Sequence, residues 1–269
     1  MEMITSRQNP LCTHLRKLAA SGSYRRGCGE FLCDSPKLLE EALLWKGDLH
    51  TVVATAQAAL PPIPAGVRVV QVPPDVMASV SPAQTPQGVL SVCGLRPPVL
   101  PEKLTGKRYM VLDGVQDPGN VGTILRTADA AGFDGALLSG ACADLYGAKT
   151  LRATMGSVFR VPTKRTPDLP AALEEMKARG YAIVATELGG ADFYAHCPHE
   201  RAVLVIGSEG NGVSAEVRAV ATHHLALPMR GGAESLNAAV AAGIMIYEMA
   251  RAQARAVPAS ASEQLGRVE

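Results

Sequence analysis

The sequence predicts an α/β protein in which a mostly parallel sheet, covered by helices on both faces, follows a smaller α/β domain. Two observations support this prediction. Short, strongly apolar runs alternate with helical stretches, and a cluster of prolines divides that alternation into two parts. Apolar runs of this kind are typical of parallel strands buried on both faces. The length of 269 residues suits one large domain or two smaller ones.

The first part of the chain reads as a small domain over residues 1–96. A helical stretch covers residues 10–20, and a second helix runs to Trp45, with Ser35 as its cap and Pro36 at its first position. Short β-type runs follow at 50–54, 67–72 and 88–93. Prolines at 97, 98 and 101 then indicate a linker over residues 97–106.

The second part repeats the alternation with longer units, and we expect one domain over residues 107–256 and a flexible tail over 257–269. The predicted strands cover residues 108–113, 135–140, 181–187, 202–207 and 224–229. The predicted helices cover residues 120–131, 171–180, 214–220 and 235–254.

The charge balance excludes a globally basic coat protein for nucleic acid but leaves room for local basic surfaces. Lys and Arg total 26 and Asp and Glu total 25. Two runs, residues 3–29 and 145–167, each hold five basic residues and no acid. A solvated face is the simpler interpretation of either run, but together they fit a phosphate-contacting surface in two places. The predicted RNA-binding residues are Arg7, Arg16, Lys17, Arg25, Arg26, Lys149, Arg152 and Arg160.

Other features favour a cytoplasmic protein without membrane or metal partners. The apolar run at 238–247 is far shorter than the ~20 residues that cross a bilayer, and the N-terminus has no apolar core for a signal peptide. The six cysteines form no C-x-x-C pair. The cluster His196-Cys197-Pro198-His199 has no second ligand pair at a usual spacing, so we expect no metal site.

Three glycine-rich segments follow predicted strands of the second domain and indicate a composite ligand site. They cover residues 113–122, 207–212 and 228–237. Glycines let a backbone approach a ligand, and ligands bind beyond the carboxyl ends of parallel strands. One such segment alone would suit an ordinary turn, but three in one sheet favour a site. None matches the dinucleotide or P-loop glycine motifs, so those nucleotides have no support.

These segments resemble the three signature motifs of the SpoU (TrmH) family of RNA 2′-O-ribose methyltransferases, in the SPOUT superfamily. The similarity extends in the family's order over about residues 107–254, and Ala238-Ala239 is a mild departure from the larger residues common there. The matching stretches are DGVQDPGNVGTILRTADAAG, LVIGSEGNGV and LPMRGGAESLNAAVAAGIMIYE, with RATMGSVFRVP between the first two.

The N-terminal part more weakly resembles the L30e-like substrate-binding domain that precedes the catalytic domain in family members that act on ribosomal RNA. Asp34-Ser35 stands where Glu-Gly is common. The residues that carry this resemblance are 6–10, 31–32, 36–41 and 85–89.

The resemblance implies a SPOUT-type trefoil-knotted sheet, S-adenosylmethionine bound in the knot, and a homodimer. The cofactor would contact strand ends and glycine loops through backbone groups. Leu227, Met229 and Leu236 would also suit an ordinary apolar core. The implied cofactor-binding residues are Thr186, Leu188, Gly189, Ile206, Gly207, Leu227, Met229 and Leu236.

The resemblance also implies five catalytic residues: Arg126, Asn120, Glu209, Ser235 and Asn237. The enzyme must align the sulfonium methyl group and polarise a ribose hydroxyl. Arginine is a poor general base because its guanidinium stays protonated in proteins, so we favour Arg126 as a clamp on the target phosphate over a deprotonated arginine base. An ion pair of Arg126 with Glu209 or Asp117 is the simpler interpretation, and Asn120 and Ser235 would also suit helix caps.

The implied function is S-adenosylmethionine-dependent 2′-O-ribose methylation of a nucleotide in ribosomal RNA, with the large-subunit RNA favoured. One alternative is a transfer-RNA 2′-O-methyltransferase, against which the separate N-terminal domain argues. The other is a non-catalytic RNA-binding or ribosome-assembly protein, against which the complete catalytic set argues.

Overall fold

A computed structural model describes residues 2–95, 105–198 and 200–256 of the chain. These residues form two compact units. The first contains the described residues up to 95 together with 143–160, and the second contains 105–142 together with 161–256. Except for residues 105 and 106, the predicted linker at 97–106 lies outside the described residues, as does the predicted tail at 257–269.

In the first unit, the described residues form a five-stranded sheet with the order β1-β4-β3-β5-β2. β4 is parallel to both of its neighbours, whereas β5 is antiparallel to both of its own. The strands are β1 (Glu2–Met3), β2 (Glu30–Cys33), β3 (Leu49–Ala54), β4 (Arg68–Gln71) and β5 (Val89–Gly94). The helices up to residue 95 are α1 (Pro10–Ala20), α2 (Gly22–Cys28), α3 (Pro36–Leu44) and α4 (Pro74–Val80). Labels follow chain order through both units.

Local capping explains why the predicted helices of this unit begin where they do. The Ser35 hydroxyl accepts a hydrogen bond from the backbone N–H of Leu38 at 3.2 Å, directly before Pro36 at the first helical position. The predicted helices over 10–20 and 36–44 are therefore confirmed. The structure adds β1, β2, α2 and α4, which the sequence pattern missed because runs of two to seven residues carry little periodic signal.

In the second unit, the described residues form a six-stranded sheet in which every pair is parallel, with the order β11-β9-β10-β6-β7-β8. The predicted parallel sheet is confirmed. Its strands are β6 (Arg108–Asp113), β7 (Gly135–Ser139), β8 (Thr163–Thr166), β9 (Ala182–Asp192), β10 (Ala202–Gly207) and β11 (His223–Ala226). Its helices are α5 (Pro118–Ala130), α7 (Leu169–Ala178), α8 (Phe193–His196), α9 (Ala215–Val220) and α10 (Ala238–Ala256).

Helices cover both faces of this sheet, as the sequence predicts. Tyr109 and Val111 pack with buried residues of α7 and α9, such as Leu173 and Val217. Met110 and Leu112 alternate with them and are also buried, so they point to the face where α5 and α10 pack together. The described residues contain no helix that is both long and apolar enough to span a bilayer.

Several predicted boundaries in the second unit differ from the structure. β9 extends to Asp192 instead of residue 187, and β11 ends at Ala226 instead of residue 229. β8 was missed because its sequence, TKRT, is polar and forms one edge of the sheet, where charged residues are common.

Residues 143–160, which the sequence-based division assigns to the second domain, pack with the first unit. This segment contains α6 (Ala148–Thr154) and a short 3-10 turn at Ser157–Phe159. Arg25 and Arg152 form ion pairs with Asp144 at 2.6 Å and Asp34 at 3.2 Å, respectively. The ring of Phe31 contacts those of Tyr146 and Phe159, whose centroids lie at 4.6 and 6.0 Å. Aromatic and charged contacts thus join residues more than a hundred positions apart, which no local pattern predicts.

Candidate active site

The strands that precede the first two glycine-rich segments are neighbours and end at the same level of the sheet. β10 pairs with β6 so that Gly207 lies opposite Asp113, the last residue of each strand. β9 borders β10 on its other side, and β11 borders β9. The predicted segments therefore meet at one edge of the parallel sheet, which is where such sheets bind ligands.

A chain of side-chain hydrogen bonds links all three segments. Asn120 Nδ2 donates to Glu209 Oε1 at 2.8 Å, and Asn237 Nδ2 donates to Asn120 Oδ1 at 3.1 Å. The backbone N–H groups of Gln116 and Asp117 also donate to the Glu209 carboxylate, at 3.3 and 3.4 Å. Three of the five predicted catalytic residues, one from each segment, are thus joined in one network.

The surroundings of Glu209 keep this carboxylate ionised. Partial burial raises its pKa, but hydrogen bonds from the Asn120 side chain and from the backbone of Glu209, Gln116 and Asp117 lower it. The hydrogen bonds outweigh burial, so the pKa of Glu209 lies below its ordinary value. At neutral pH, Glu209 is a fixed negative acceptor that orients the Asn120 amide.

Helix capping at the site is done by residues other than the two that the sequence offered for it. Asp117 Oδ1 accepts the backbone N–H of Asn120 at 2.9 Å and caps α5, which begins two residues earlier than predicted. Asn237 Oδ1 accepts the backbone N–H of Ala239 at 2.9 Å, at the start of α10. The interpretation of Asn120 and Ser235 as caps is therefore wrong. Asn237 instead caps its helix through one amide atom and holds Asn120 through the other.

The second segment folds into a tight loop that requires glycine at its first position. A Cβ on Gly207 would lie 2.0 Å from the carbonyl carbon of Gly212 and 2.1 Å from the backbone nitrogen of Val213. Backbone hydrogen bonds of 2.9 and 3.0 Å between Ser208 and Gly212 close the loop. Asp113 Oδ2 accepts the backbone N–H of Ser214 at 2.8 Å and thereby ties the loop to β6.

Arg126 and Ser235 do not join this network. Arg126 is exposed on α5, and within the described part of the chain its guanidinium forms no hydrogen bond or ion pair. The alternative interpretation, an ion pair with Glu209 or Asp117, does not hold for these residues, and Glu209 instead accepts hydrogen bonds from Asn120 and backbone amides. Ser235 is exposed, and its hydroxyl likewise has no hydrogen-bond partner among the described residues.

The predicted cofactor-binding residues lie on β9 and β10 or in the segment between β11 and α10. Thr186, Leu188 and Gly189 belong to β9, and Ile206 and Gly207 end β10. The three others follow β11: Leu227 is buried, whereas Met229 and Leu236 are 36% and 38% exposed, so the interpretation of these last two as core residues is wrong. The backbone of these residues offers hydrogen-bond donors and acceptors, which suits a nucleoside cofactor.

The predicted RNA-binding residues all lie in the first unit, because residues 143–160 belong to it. The two basic runs thus contribute these eight residues to one unit and not to two. The prediction that Arg25 binds RNA is wrong, because its side chain is only 6% exposed and is paired with Asp144, so it cannot serve as a free phosphate contact. Arg160 is occupied by Glu41 and lies over the Trp45 ring, whereas Arg26 and Lys149 are exposed.

Three site residues were missed by the sequence analysis. Asp117 could have been found, since an acid directly before a proline at the first helical position is a common capping pattern. Asp113 and Glu187 carry no such local signal. Glu187 forms an ion pair with Arg218 and a close contact with the His224 ring, and both become visible only once β9, α9 and β11 are placed together.

Within the described ranges, no group of three His, Cys, Asp or Glu side chains is arranged to hold a metal ion. His199, part of the cluster considered above, lies outside those ranges.

Comparison with known proteins identifies the family. Residues 107–247 match the SpoU rRNA Methylase family, and residues 9–91 match the MRM3-like substrate binding domain. The chain belongs to the SpoU rRNA methylase family. Among SpoU relatives, the 23S rRNA (guanosine(2553)-2′-O)-methyltransferase RlmP of Bacillus subtilis is 35% identical over 252 residues, covering 93% of this chain and 99% of that protein.

Solved SpoU structures share the fold over nearly the whole chain. An rRNA methyltransferase from Sinorhizobium meliloti is 32% identical with a TM-score of 0.82, covering 93% of this chain and 97% of that one. The SpoU methyltransferase AviRb from Streptomyces viridochromogenes, solved with AdoMet, is 28% identical with a TM-score of 0.81, covering 91% and 98%.

Proposed function

We propose that this protein transfers the methyl group of S-adenosylmethionine to the 2′-hydroxyl of one ribose in 23S ribosomal RNA. The observation that carries the proposal is the Asn120–Glu209–Asn237 network, which joins one residue from each family motif at the sheet edge. The SpoU family and its AdoMet-bound members agree with the predicted enzyme class and cofactor. The RlmP relative, similar along nearly its full length, supports 23S rRNA as the substrate.

The chain's own residues would have two tasks: to align the methyl donor with the ribose hydroxyl, and to bind the negative phosphate of the target nucleotide. S-adenosylmethionine supplies a methyl group already activated by a positive sulfonium. Residues 186–189 of β9, the end of β10 and the residues after β11 would hold this cofactor through backbone groups. Arg126, whose guanidinium is unengaged within the described residues, would clamp the phosphate of the target nucleotide. Ser235 and the Asn120 amide, oriented by Glu209, would position the ribose hydroxyl.

The two-domain organisation supports ribosomal RNA over transfer RNA as the substrate. The A. aeolicus TrmH/SpoU tRNA modifying enzyme is similar over only 56% of this chain, with a TM-score of 0.51. The substrate-binding domain at residues 9–91 accounts for much of the additional length here.

The proposal includes a homodimer in the cytoplasm and a trefoil knot, as the family resemblance implies. A stripe on α10 supports the homodimer: Val240, Ile244 and Tyr247 are 52%, 37% and 54% exposed at helical spacing. Sedimentation of wild type and of an Ile244→Glu variant tests it. We expect a dimer that shifts toward monomer in the variant, and a monomeric wild type at micromolar concentration would exclude it.

Mapping of ribose methylation in total RNA tests the function. We expect one 2′-O-methyl group in 23S rRNA to be missing from cells that lack this protein and to return with the wild-type gene. With purified protein and tritiated S-adenosylmethionine, the label should remain on the ribose after digestion to nucleosides. Label on the base, or a missing methyl group only in transfer RNA, would contradict the proposal.

A further inference from the structure

β9 contains a bulge of five residues directly at the predicted cofactor site. In the pairing of β9 with β11, His224 lies opposite Ala185, but the next residue, Leu225, lies opposite Ala191. Residues 186–190 therefore have no counterpart in β11 and project from the ladder. Thr186, Leu188 and Gly189, three of the predicted cofactor contacts, belong to this bulge.

Two glycines make the bulge possible. Gly189 has a φ of +80°, a conformation that other residues rarely adopt. Gly190 lies against the β11 backbone, where a Cβ would be 2.7 Å from the carbonyl oxygen of His224. Glycine tolerates this geometry but does not enforce it, because its backbone is the most flexible of all residues. Another contact must hold the bulge in one conformation.

Glu187 provides that contact through both of its carboxylate oxygens. Oε1 accepts a hydrogen bond from Arg218 Nη1 of α9 at 3.1 Å. Oε2 lies 2.8 Å from His224 Nδ1 of β11. The carboxylate therefore connects the bulge to both α9 and β11, and its side chain is 29% exposed. These partners lower the pKa of Glu187, chiefly through the His224 hydrogen bond, so the carboxylate is ionised at neutral pH.

We call the contacts of Glu187 with Arg218 and His224 the tether. The tether lies beside a cavity. Glu187, Gly189, Gly190, Arg218 and His224 line a space of about 450 Å³, together with Ala215 and Ala219. Leu188, at the middle of the bulge, is 72% exposed and is not held by packing. A fixed backbone at 186–189 thus depends on the two polar contacts of Glu187 and not on an apolar core.

We propose that Glu187 is a positioning residue that holds the 186–190 bulge, through Arg218 and His224, in the conformation that binds the methyl donor. This inference rests on the proposed function, because it assumes that the bulge contacts S-adenosylmethionine. Glu187 contacts neither the methyl group nor the RNA. Its loss affects the affinity for the cofactor and not the rate of the chemical step.

The test compares Glu187→Ala with wild type in calorimetric titration with S-adenosylmethionine and in methyl-transfer kinetics. We expect Kd and KM for S-adenosylmethionine to rise by about tenfold, equivalent to about 1.4 kcal/mol. At saturating cofactor, kcat should stay within about twofold, since the interaction is made equally in the ground and transition states. Glu187→Gln should lie between the two proteins, because it keeps the shape and one hydrogen bond but not the charge.

Glu175→Ala is the matched control, since it removes another exposed carboxylate of the second unit, paired with Arg179 on α7. Its Kd should equal that of wild type. If Glu187→Ala does not fold, Arg218→Met and His224→Gln each remove one half of the tether, and each should raise Kd. A Kd within twofold of wild type in folded Glu187→Ala, or in both half-tether variants, overturns the inference alone. A wild type that fails to bind S-adenosylmethionine overturns the proposed function with it.

Discussion

At the scale of single residues, Asn120, Glu209 and Asn237 hold the hydrogen-bond network of the site, whereas Arg126 and Ser235 stay outside it among the described residues. Glu209 accepts hydrogen bonds from the Asn120 side chain and from backbone amides, and Asn120 in turn accepts from Asn237. Arg126 has no such engagement among the described residues. A guanidinium that the protein itself does not neutralise is suited to an anionic ligand, whereas one locked in an ion pair is not.

Replacement of Arg126 tests this division. Arg126→Ala should reduce methyl transfer by on the order of a hundredfold or more, comparable to the loss of one transition-state donor, and should leave the Kd for S-adenosylmethionine unchanged. Single-turnover assays and calorimetry measure the two quantities. Arg201→Ala, which removes another exposed arginine of the same unit, is the control. Turnover of Arg126→Ala within a few-fold of wild type would contradict the proposal that Arg126 clamps the target phosphate.

Replacement of Glu209 tests the network and carries a pH dependence. The folded-state pKa of Glu209 is lowered, so its stabilising effect is present above the unfolded-state pKa of about 4.3 and is lost as pH falls through the folded-state value. Glu209→Gln should lower Tm at pH 7, because an amide N–H₂ then faces hydrogen-bond donors. The difference in Tm from wild type should shrink below about pH 4. A difference in Tm that stays constant from pH 7 to pH 3 would show that the ionised form of Glu209 does not stabilise the fold.

At the scale of elements, strand order decides which loops meet. β6 and β10 are neighbours, and only β9 lies between β10 and β11, so the glycine-rich segments that follow β6, β10 and β11 share one edge of the sheet. The loop after β10 is closed so tightly that only glycine fits at Gly207. Three residues along the same loop, Gly210 has open space around it. The fold therefore requires the absence of a side chain at Gly207 but not at Gly210.

The pair offers a matched experiment on the loop. Gly207→Ala should destabilise the protein by about 2–3 kcal/mol, since the added methyl group meets backbone that cannot move aside, and should also weaken cofactor binding. Gly210→Ala should change the free energy of unfolding by less than about 0.5 kcal/mol. Urea unfolding of both variants measures the difference. Equal stabilities would mean that the loop relaxes freely around Gly207.

At the scale of the whole molecule, the near-zero net charge conceals an uneven distribution of the predicted RNA-binding cations between the two units. The chain carries a formal net charge of +1, yet the eight cations that the sequence pattern assigned to RNA binding, Arg25 among them, all lie in the first unit. Within that unit, neighbouring arginines have different roles. Arg25 is buried against Asp144, whereas Arg26 is exposed to solvent. Position in the basic run alone therefore does not indicate which cation is available to phosphate.

Substitution of these two neighbours separates structure from RNA binding. Arg25→Ala should lower the free energy of unfolding by about 3 kcal/mol, because it breaks a largely buried ion pair. Arg26→Ala should leave stability within about 0.5 kcal/mol but reduce the slope of log affinity for 23S rRNA against log salt by about one. Urea unfolding and filter binding at several salt concentrations give both values. An unchanged slope for Arg26→Ala would remove it from the RNA surface.

The sequence by itself determined the fold class, the family and the motif residues, because these depend on neighbours along the chain. Ser35 before Pro36 starts a helix, and the glycine-rich motifs can be read in order. Tertiary structure alone decided which side chains meet. Asn120 contacts Glu209 across 89 positions and Asn237 across 117. Residues 143–160 pack with the first unit, although the sequence pattern assigned them to the second domain. Such contacts depend on strand order and burial, which local patterns do not encode, so Glu187 and the burial of Arg25 emerged only from the folded chain.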